Sequence, residues 1–385
     1  MADTFTKVTT QGYGSRIRES FTSVIIGVVL VLASFGGLFW NEGRTVKRAK
    51  TLEAGQGMVV TVAADQVDAG NDGKLVHMTG DAVTDDTLKD AEFGVALNAI
   101  KLKRVAEMYQ WQEEKHEQTK TTTGGKKETT TTYTYDKKWS ESRIDSSRFE
   151  HSSGHQNPGT MRFQGEEWTA GKVAVGAFTL SPGLVGGIDN WSEVPLDDAA
   201  LKKVPGGLRK EVKLAGEWFY VGQEPTEPAI GDIRVKYEAA LPTVVSLVSE
   251  QVKGTFEPYQ MDTGSIELLQ VGTHTAQAMF ETAKQQNVMI AWLIRLGGFV
   301  AMLIGITMIF RPLVTVADVV PLFGSMLGAG VFVFALLMSL ALSLLTISVA
   351  WIFYRPLIGV PLVVVAVGAF AALVVMGMRK RKAAG

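Results

Sequence analysis

Residues 21–40, FTSVIIGVVLVLASFGGLFW, carry no charge. Twenty helical residues at about 1.5 Å each reach about 30 Å, the thickness of a bilayer's hydrocarbon core. No feature restricts the fold more. Within lipid the backbone must satisfy its own hydrogen bonds, which leaves helices or closed barrels. The run is long, and the Asn41-Glu42-Gly43-Arg44 that follows is no small-residue cleavage site. It therefore reads as an uncleaved signal anchor rather than a secretory leader.

Three further runs behave alike. Residues 290–310 contain one charge, Arg295, beside Trp292, and a snorkelling arginine is expected there. Residues 326–354 are uncharged and long enough to cross with tilt. Residues 357–378 run directly into Arg379-Lys380-Arg381-Lys382, and Pro356 before them predicts a tight helical hairpin. The stretch 311–325 is apolar but broken by Pro312, Asp318 and Pro321. It reads as an interfacial or re-entrant piece with Asp318 at headgroup level. Gly27, Gly298, Gly305, Gly324 and Gly328 would permit close helix contact.

Between the first two spans, residues 41–289 hold 28 basic and 36 acidic residues, a net charge of −8. A phosphate-binding face needs clustered positive charge, so nucleic acid is not an expected partner. The chain has no cysteine, which excludes disulfides, thiolate metal sites and a cysteine nucleophile. Lysines and arginines favour cytoplasmic termini by eight to six. The expected order is a cytoplasmic segment 1–20, a span at 21–40 and a periplasmic or lumenal domain at 41–289. Spans at 290–310, 326–354 and 357–378 follow, and a basic cytoplasmic tail at 379–385 ends the chain.

The 41–289 block alternates more than it coils. Residues 58–62 and 74–78 read as strands joined through Gly70-Asn71-Asp72-Gly73. Residues 99–117 and 128–142 are rich in β-formers and flank Gly124-Gly125, so a long hairpin is expected. Its tip, 119–134, is almost entirely Thr, Lys, Gly and Glu, which predicts a solvated polar ribbon. Further strands are expected near 217–221, 232–240, 244–254 and 266–271, a short helix within 197–213, and a helix at 275–289 leading into the second span. The fold class is then four transmembrane α-helices, one N-terminal and three C-terminal, with a large β-rich (α+β) extramembrane domain between the first and second.

Little of the chain points to chemistry. His151 and His155 stand four apart, but Ser152-Ser153-Gly154 disfavours the helix that would align them as ligands. No zinc-protease, nucleophile-elbow, P-loop or dinucleotide fingerprint is present. No catalytic residue, metal site or cofactor is expected. Only Arg295 and Asp318 are ionisable in or near the second and third spans, whereas ion-coupled carriers place such groups at mid-depth.

Several blocks match a known family. They are Asn41-Glu42-Gly43-Arg44 after the first span, Leu75-Val76-His77, Ala99 to Arg104, Glu107-Met108-Tyr109-Gln110-Trp111, Gly154-His155 with Asn157-Pro158, Gly231 to Val235, and Trp351 to Leu357. In these the chain resembles the transmembrane protein 43 (LUMA) family. The resemblance implies one N-terminal span, a lumenal domain, three C-terminal spans and a non-enzymatic, self-associating role in organising membranes. The animal member lies in the endoplasmic reticulum and inner nuclear membrane, linked to emerin and lamins. The missing cysteine, the threonine-rich tip and the glycine- and alanine-rich spans look more like a bacterial inner-membrane member. Expected partners are the lipid bilayer, further copies of the chain and other membrane or envelope proteins. The candidate contact residues are Asn41, Glu42, Arg44, Glu107, Tyr109, Trp111, His155 and Asn157. A channel or transporter, motivated by the long third span and the broken 311–325 piece, is the second reading. An envelope enzyme using His151 and His155 is the third.

Overall fold

The computed structural model describes residues 3–357 and 359–361. Three helices are long and apolar enough to cross a membrane: α1 (Tyr13–Met58), α2 (Ala276–Ala317) and α3 (Pro321–Tyr354). Almost all of the fourth expected span, 357–378, and the tail 379–385 lie outside the described residues.

Each helix outruns its apolar window. Helix α1 continues past Trp40 through Asn41–Lys50, and α2 begins well before residue 290. The piece 311–325 does not stand apart: α2 runs on through Pro312 to Ala317, a turn occupies 318–320, and α3 starts at Pro321. A proline inside a helix leaves the carbonyl four residues back without its donor. Here that carbonyl is Met308 O. The Ser23 hydroxyl lies 3.3 Å from it and 2.6 Å from Ser20 O, so α1 shares its one hydrogen between its own carbonyl and the one the proline leaves open.

The helices form one compact unit made of residues 9–53, 119–129 and the described residues from 282 onward. Its small apolar centre comprises Leu38, Met302, Ile306 and Ala335. Helices α1 and α2 meet backbone to backbone at Gly27 and Gly305. A Cβ on Gly305 would lie 2.8 Å from Gly27 O and 2.9 Å from Val31 Cγ2. Gly305→Val should therefore force the pair apart and cost about 1–3 kcal/mol. In detergent its thermal unfolding midpoint should fall, whereas Gly330→Ala, with nothing within 4 Å of the added carbon, should not move it.

The second unit is built on two large sheets, with two small two-stranded ones beside them. Its principal strands are β1 (Asp3–Gln11), β2 (Leu75–Val83), β3 (Lys101–Thr121), β4 (Lys127–Ser140), β5 (Trp218–Val221), β6 (Ile233–Ala240) and β7 (Thr243–Val252). The eight-stranded sheet runs β1-β4-β3-β6-β5 and ends on Val212–Ala215, with Glu166–Thr169 added to β3 and Trp191–Val194 to β6. The seven-stranded sheet is built on the antiparallel pair β2–β7, in register from Leu75↔Glu250 to Ala82↔Thr243. Residues 60–61 join β2 in parallel, so they do not form the expected hairpin with it.

Period-two alternation decides which side chains are buried. On β6, Ile233, Val235, Tyr237 and Ala239 face the core, while Arg234, Lys236 and Glu238 face outward. On β3, Leu102, Ala106 and Met108 do the same. They join Val76, Met78, Val245 and Leu247 of the other sheet in one hydrophobic cluster, so a shared core ties the two large sheets together. Its helices are short turns, Asp198–Lys203 and Gly206–Arg209 among them.

Candidate functional site

Asn41, Glu42 and Arg44 have hydrogen-bond partners on the neighbouring helix. Glu42 is fully buried on α1 and accepts from Arg295 of α2 at two oxygens, 2.7 and 2.9 Å away. The Trp351 indole of α3 donates to the same carboxylate at 2.8 Å. Arg295 therefore does not snorkel. It lies 4.8 Å from the Trp292 ring but turns its guanidinium onto Glu42. One turn along, the Asn41 amide donates to Ala291 O at 3.1 Å and the Asn287 amide to Thr45 O at 3.0 Å. Arg44 reaches Asn287 Oδ1 and Asn41 Oδ1 at 3.3 and 3.4 Å. Gly43 leaves space for the Tyr354 ring, whose Cζ would sit 2.6 Å from a Cβ there. The four-residue motif thus joins three helices.

Glu107, Tyr109 and Trp111 lie on the outward face of β3. Glu107 pairs with Arg234 of β6, directly opposite in register, at 2.6 Å. The Arg234 guanidinium is 4.5 Å from the Trp139 ring and 4.3 Å from that of Trp218. Tyr109 packs on Trp139 at 5.2 Å, Lys137 sits 4.8 Å from Trp111, and Lys236 lies 5.5 Å from Trp218. The result is a largely half-buried strip in which cations alternate with aromatic rings across four neighbouring strands. Each such cation–ring contact contributes about 0.5–1 kcal/mol at a partly exposed site.

His155 and Asn157 serve the same sheet. The Asn157 amide accepts from Trp111 N at 2.7 Å and donates to Trp111 O at 2.9 Å. One side chain thereby stands in for a strand at the edge of β3. Buried His155 stacks on Tyr135 at 4.0 Å, meets Trp111 edge-on at 4.7 Å, and has Nδ1 3.0 Å from His151 O. His151 instead stacks on Phe5 at 4.1 Å. The two imidazoles do not converge, and among the described residues no group of three His, Asp or Glu could hold a metal.

Two further clusters lie where the sequence reading named no candidate. Arg104, on the core side of β3, is almost fully buried and donates to Asp90 at 2.7 Å and Glu92 at 2.6 Å. Tyr237 donates to the same Asp90 at 2.5 Å. Burial, then the Asp90 charge, pushes the Tyr237 hydroxyl far above its ordinary range. The signal was available: Arg104 breaks an otherwise apolar even-numbered series, 102, 106, 108. The other cluster is the hairpin tip, which is not free in solvent. Gly124 N donates to Val319 O at 3.0 Å, Arg16 donates to Gly125 O at 2.7 Å and pairs with Asp318, and the Tyr13 hydroxyl donates to Val316 O at 3.3 Å. Gly125 adopts φ +73° under the Tyr13 ring, where no Cβ fits. Asp318, expected at the headgroups, is the buried partner of Arg16.

Comparison with known proteins points one way. The family model described as "Transmembrane protein 43" matches residues 108–356. The rat protein "Transmembrane protein 43" is 34% identical over 360 residues, 90% of this chain and 88% of its own. The human one is 32% identical over 358 residues, with the same coverage. A "Transmembrane protein 43 homolog" of Drosophila melanogaster is 26% identical over 351 residues, 89% of this chain and 92% of its own. No solved structure matches. With three apolar helices, the chain is a multi-pass integral membrane protein.

Proposed function

This chain belongs to the transmembrane protein 43 family, and from that premise we propose that it is a non-enzymatic, self-associating membrane scaffold. The β-rich body stands on the side of the membrane away from the cytoplasm and carries the contact surface. One observation supports this most: the strip of Tyr109, Trp139, Arg234 and Trp218 on the outward face of the eight-stranded sheet. Tryptophan, tyrosine and arginine are the residues that dominate binding energy at protein interfaces. A sheet face that needed only water would not hold them at half burial.

Light scattering in mild detergent tests the reading. The wild-type chain should show the mass of a defined multimer, and a clean monomer at working concentration contradicts the proposal. Trp139→Ala with Trp218→Ala should lower the mass while the circular dichroism spectrum stays unchanged. Both rings lie outside the fully buried core, so the fold should survive their loss.

A further inference from the structure

Helices α1 and α2 enclose a groove of about 330 Å³, walled chiefly by Ala33 and Gly37 of α1 and by Gly297, Gly298 and Ala301 of α2. Small residues let these helices meet at Gly27 and Gly305, but a Cβ added at Gly37 or Gly297 would have nothing within 4 Å. The one polar side chain on the walls is Ser34, whose hydroxyl already donates to Leu30 O at 2.7 Å. Every wall residue falls within the uncharged run 21–40 or the run 290–310, so the groove lies at the depth of the hydrocarbon core and suits an apolar occupant.

Positive charge gathers just beyond its end. Arg44, Lys47, Arg48 and Lys50 place four cations within seven residues of α1, and residues 43–52 contain no acid. Glu42 does not answer them, because Arg295 and Trp351 take both its oxygens. Arg44 is seven residues past Gly37, nearly two turns, and so shares its face of α1. On α2, Asn287 stands seven residues before Ile294 in the same way. Helical side chains lean toward the N-terminus, and the Arg44 guanidinium comes back to Asn41 Oδ1 at 3.4 Å, a level about 6 Å beyond Gly37.

Arg44 is half-buried, yet its partners are all neutral. Asn287 Oδ1, Asn41 Oδ1 and Thr45 Oγ1 accept from it at 3.3–3.4 Å, and Nε has no partner. A charge withdrawn from water is ordinarily paired with an opposite one. Lys47, three residues on, is exposed. Trp40 and Trp292, 60% and 62% exposed, stand just below, where tryptophan marks the boundary between hydrocarbon and headgroups.

A molecule that answers both features carries a long apolar chain below and a phosphate above. We propose that α1 and α2 hold one anionic phospholipid, its acyl chain in the groove and its phosphate on Arg44 and Lys47. A zwitterionic headgroup fits less well, since its ammonium would join four cations already present. The site belongs wholly to the helical unit and does not rest on self-association.

Native mass spectrometry of the full chain in maltoside tests the site. The protein should retain one phosphatidylglycerol per chain, at lower added lipid than phosphatidylcholine requires. A cation beside a membrane surface is worth about fivefold in affinity for anionic lipid. Lys47→Gln and Arg44→Gln should each raise the phosphatidylglycerol concentration for half occupancy by about that factor and leave phosphatidylcholine unmoved. Should Arg44→Gln fail to fold, Lys47→Gln decides, because that side chain is exposed. Lys202→Gln, the same charge change on an exposed turn of the β-rich body, should have no effect. Gly37→Leu, which fills the groove, should expel both lipids. Equal retention of the two lipids by the wild-type chain, or no response to Lys47→Gln, overturns the headgroup contact. Displacement of phosphatidylglycerol by inorganic phosphate at matched concentration assigns the cations to a free anion and overturns the lipid. Lipid retained by Gly37→Leu overturns the groove. So does a wild-type chain that holds no lipid and whose scattering mass falls on Gly37→Leu, which gives the groove to a second copy.

Discussion

Replacing Glu42 with alanine should destabilise the helical unit by about 3–5 kcal/mol, the range for removing one partner of a buried ion pair. Arg295 would keep its charge with no carboxylate to meet, and the Trp351 indole would lose its acceptor. In a soluble protein, water could enter and soften the loss. Among apolar helices it cannot, since lipid offers no hydrogen bonds. The thermal midpoint in detergent should therefore drop steeply. Glu42→Gln, which preserves shape and one acceptor, should fall less. The decisive variant is the double change Glu42→Gln with Arg295→Met. With neither charge present, much of the lost stability should return. A Glu42→Ala midpoint equal to wild type would show that the pair does not hold the helices together.

Asp90→Ala should be comparably severe in the β-rich body, again about 3–5 kcal/mol. Asp90 accepts from both Arg104 and Tyr237, and all three are nearly inaccessible. Its loss strands a guanidinium between the Phe93 and Trp168 rings. Glu92 and Glu166 also reach Arg104, but both are half-exposed and compensate poorly. Tyr237→Phe removes only one hydrogen bond to a charged group, about 1.5–3 kcal/mol, and should rank below Asp90→Ala. Near-ultraviolet circular dichroism during denaturant unfolding would read both. An Asp90→Ala midpoint above that of Tyr237→Phe would contradict the ranking.

Much of the architecture was legible because one physical rule governs it. Charge-free runs of twenty residues mark helices in lipid, and α1, α2 and α3 contain the runs at 21–40, 290–310 and 326–354. Their ends were not legible. Polar residues such as Asn41 and Arg44 look like a boundary, yet they continue α1 because their partners are Ala291 and Asn287, about 250 positions away. The long hairpin followed from β-forming residues on either side of Gly124-Gly125, and β3 and β4 fall there. That its tip would rest on Arg16 and Val319 had no local signature. Two of the candidate contact residues have partners within the chain. Asn157 is an edge cap for Trp111, and Glu42 a clasp between helices, because a sequence lists polar groups without saying which way they turn. Glu107, Tyr109 and Trp111 sit on the outward face that strand alternation assigns them.

The hydroxyl of Ser23 facing Met308 O has a corollary for how this chain can vary. A proline at 312 is harmless only while a neighbouring helix lends a donor at that height. The two positions should then drift as a pair among kindred sequences: where the proline gives way to a residue with its own N–H, the serine is released to become alanine or valine, and where the serine has gone first, the proline should have gone too.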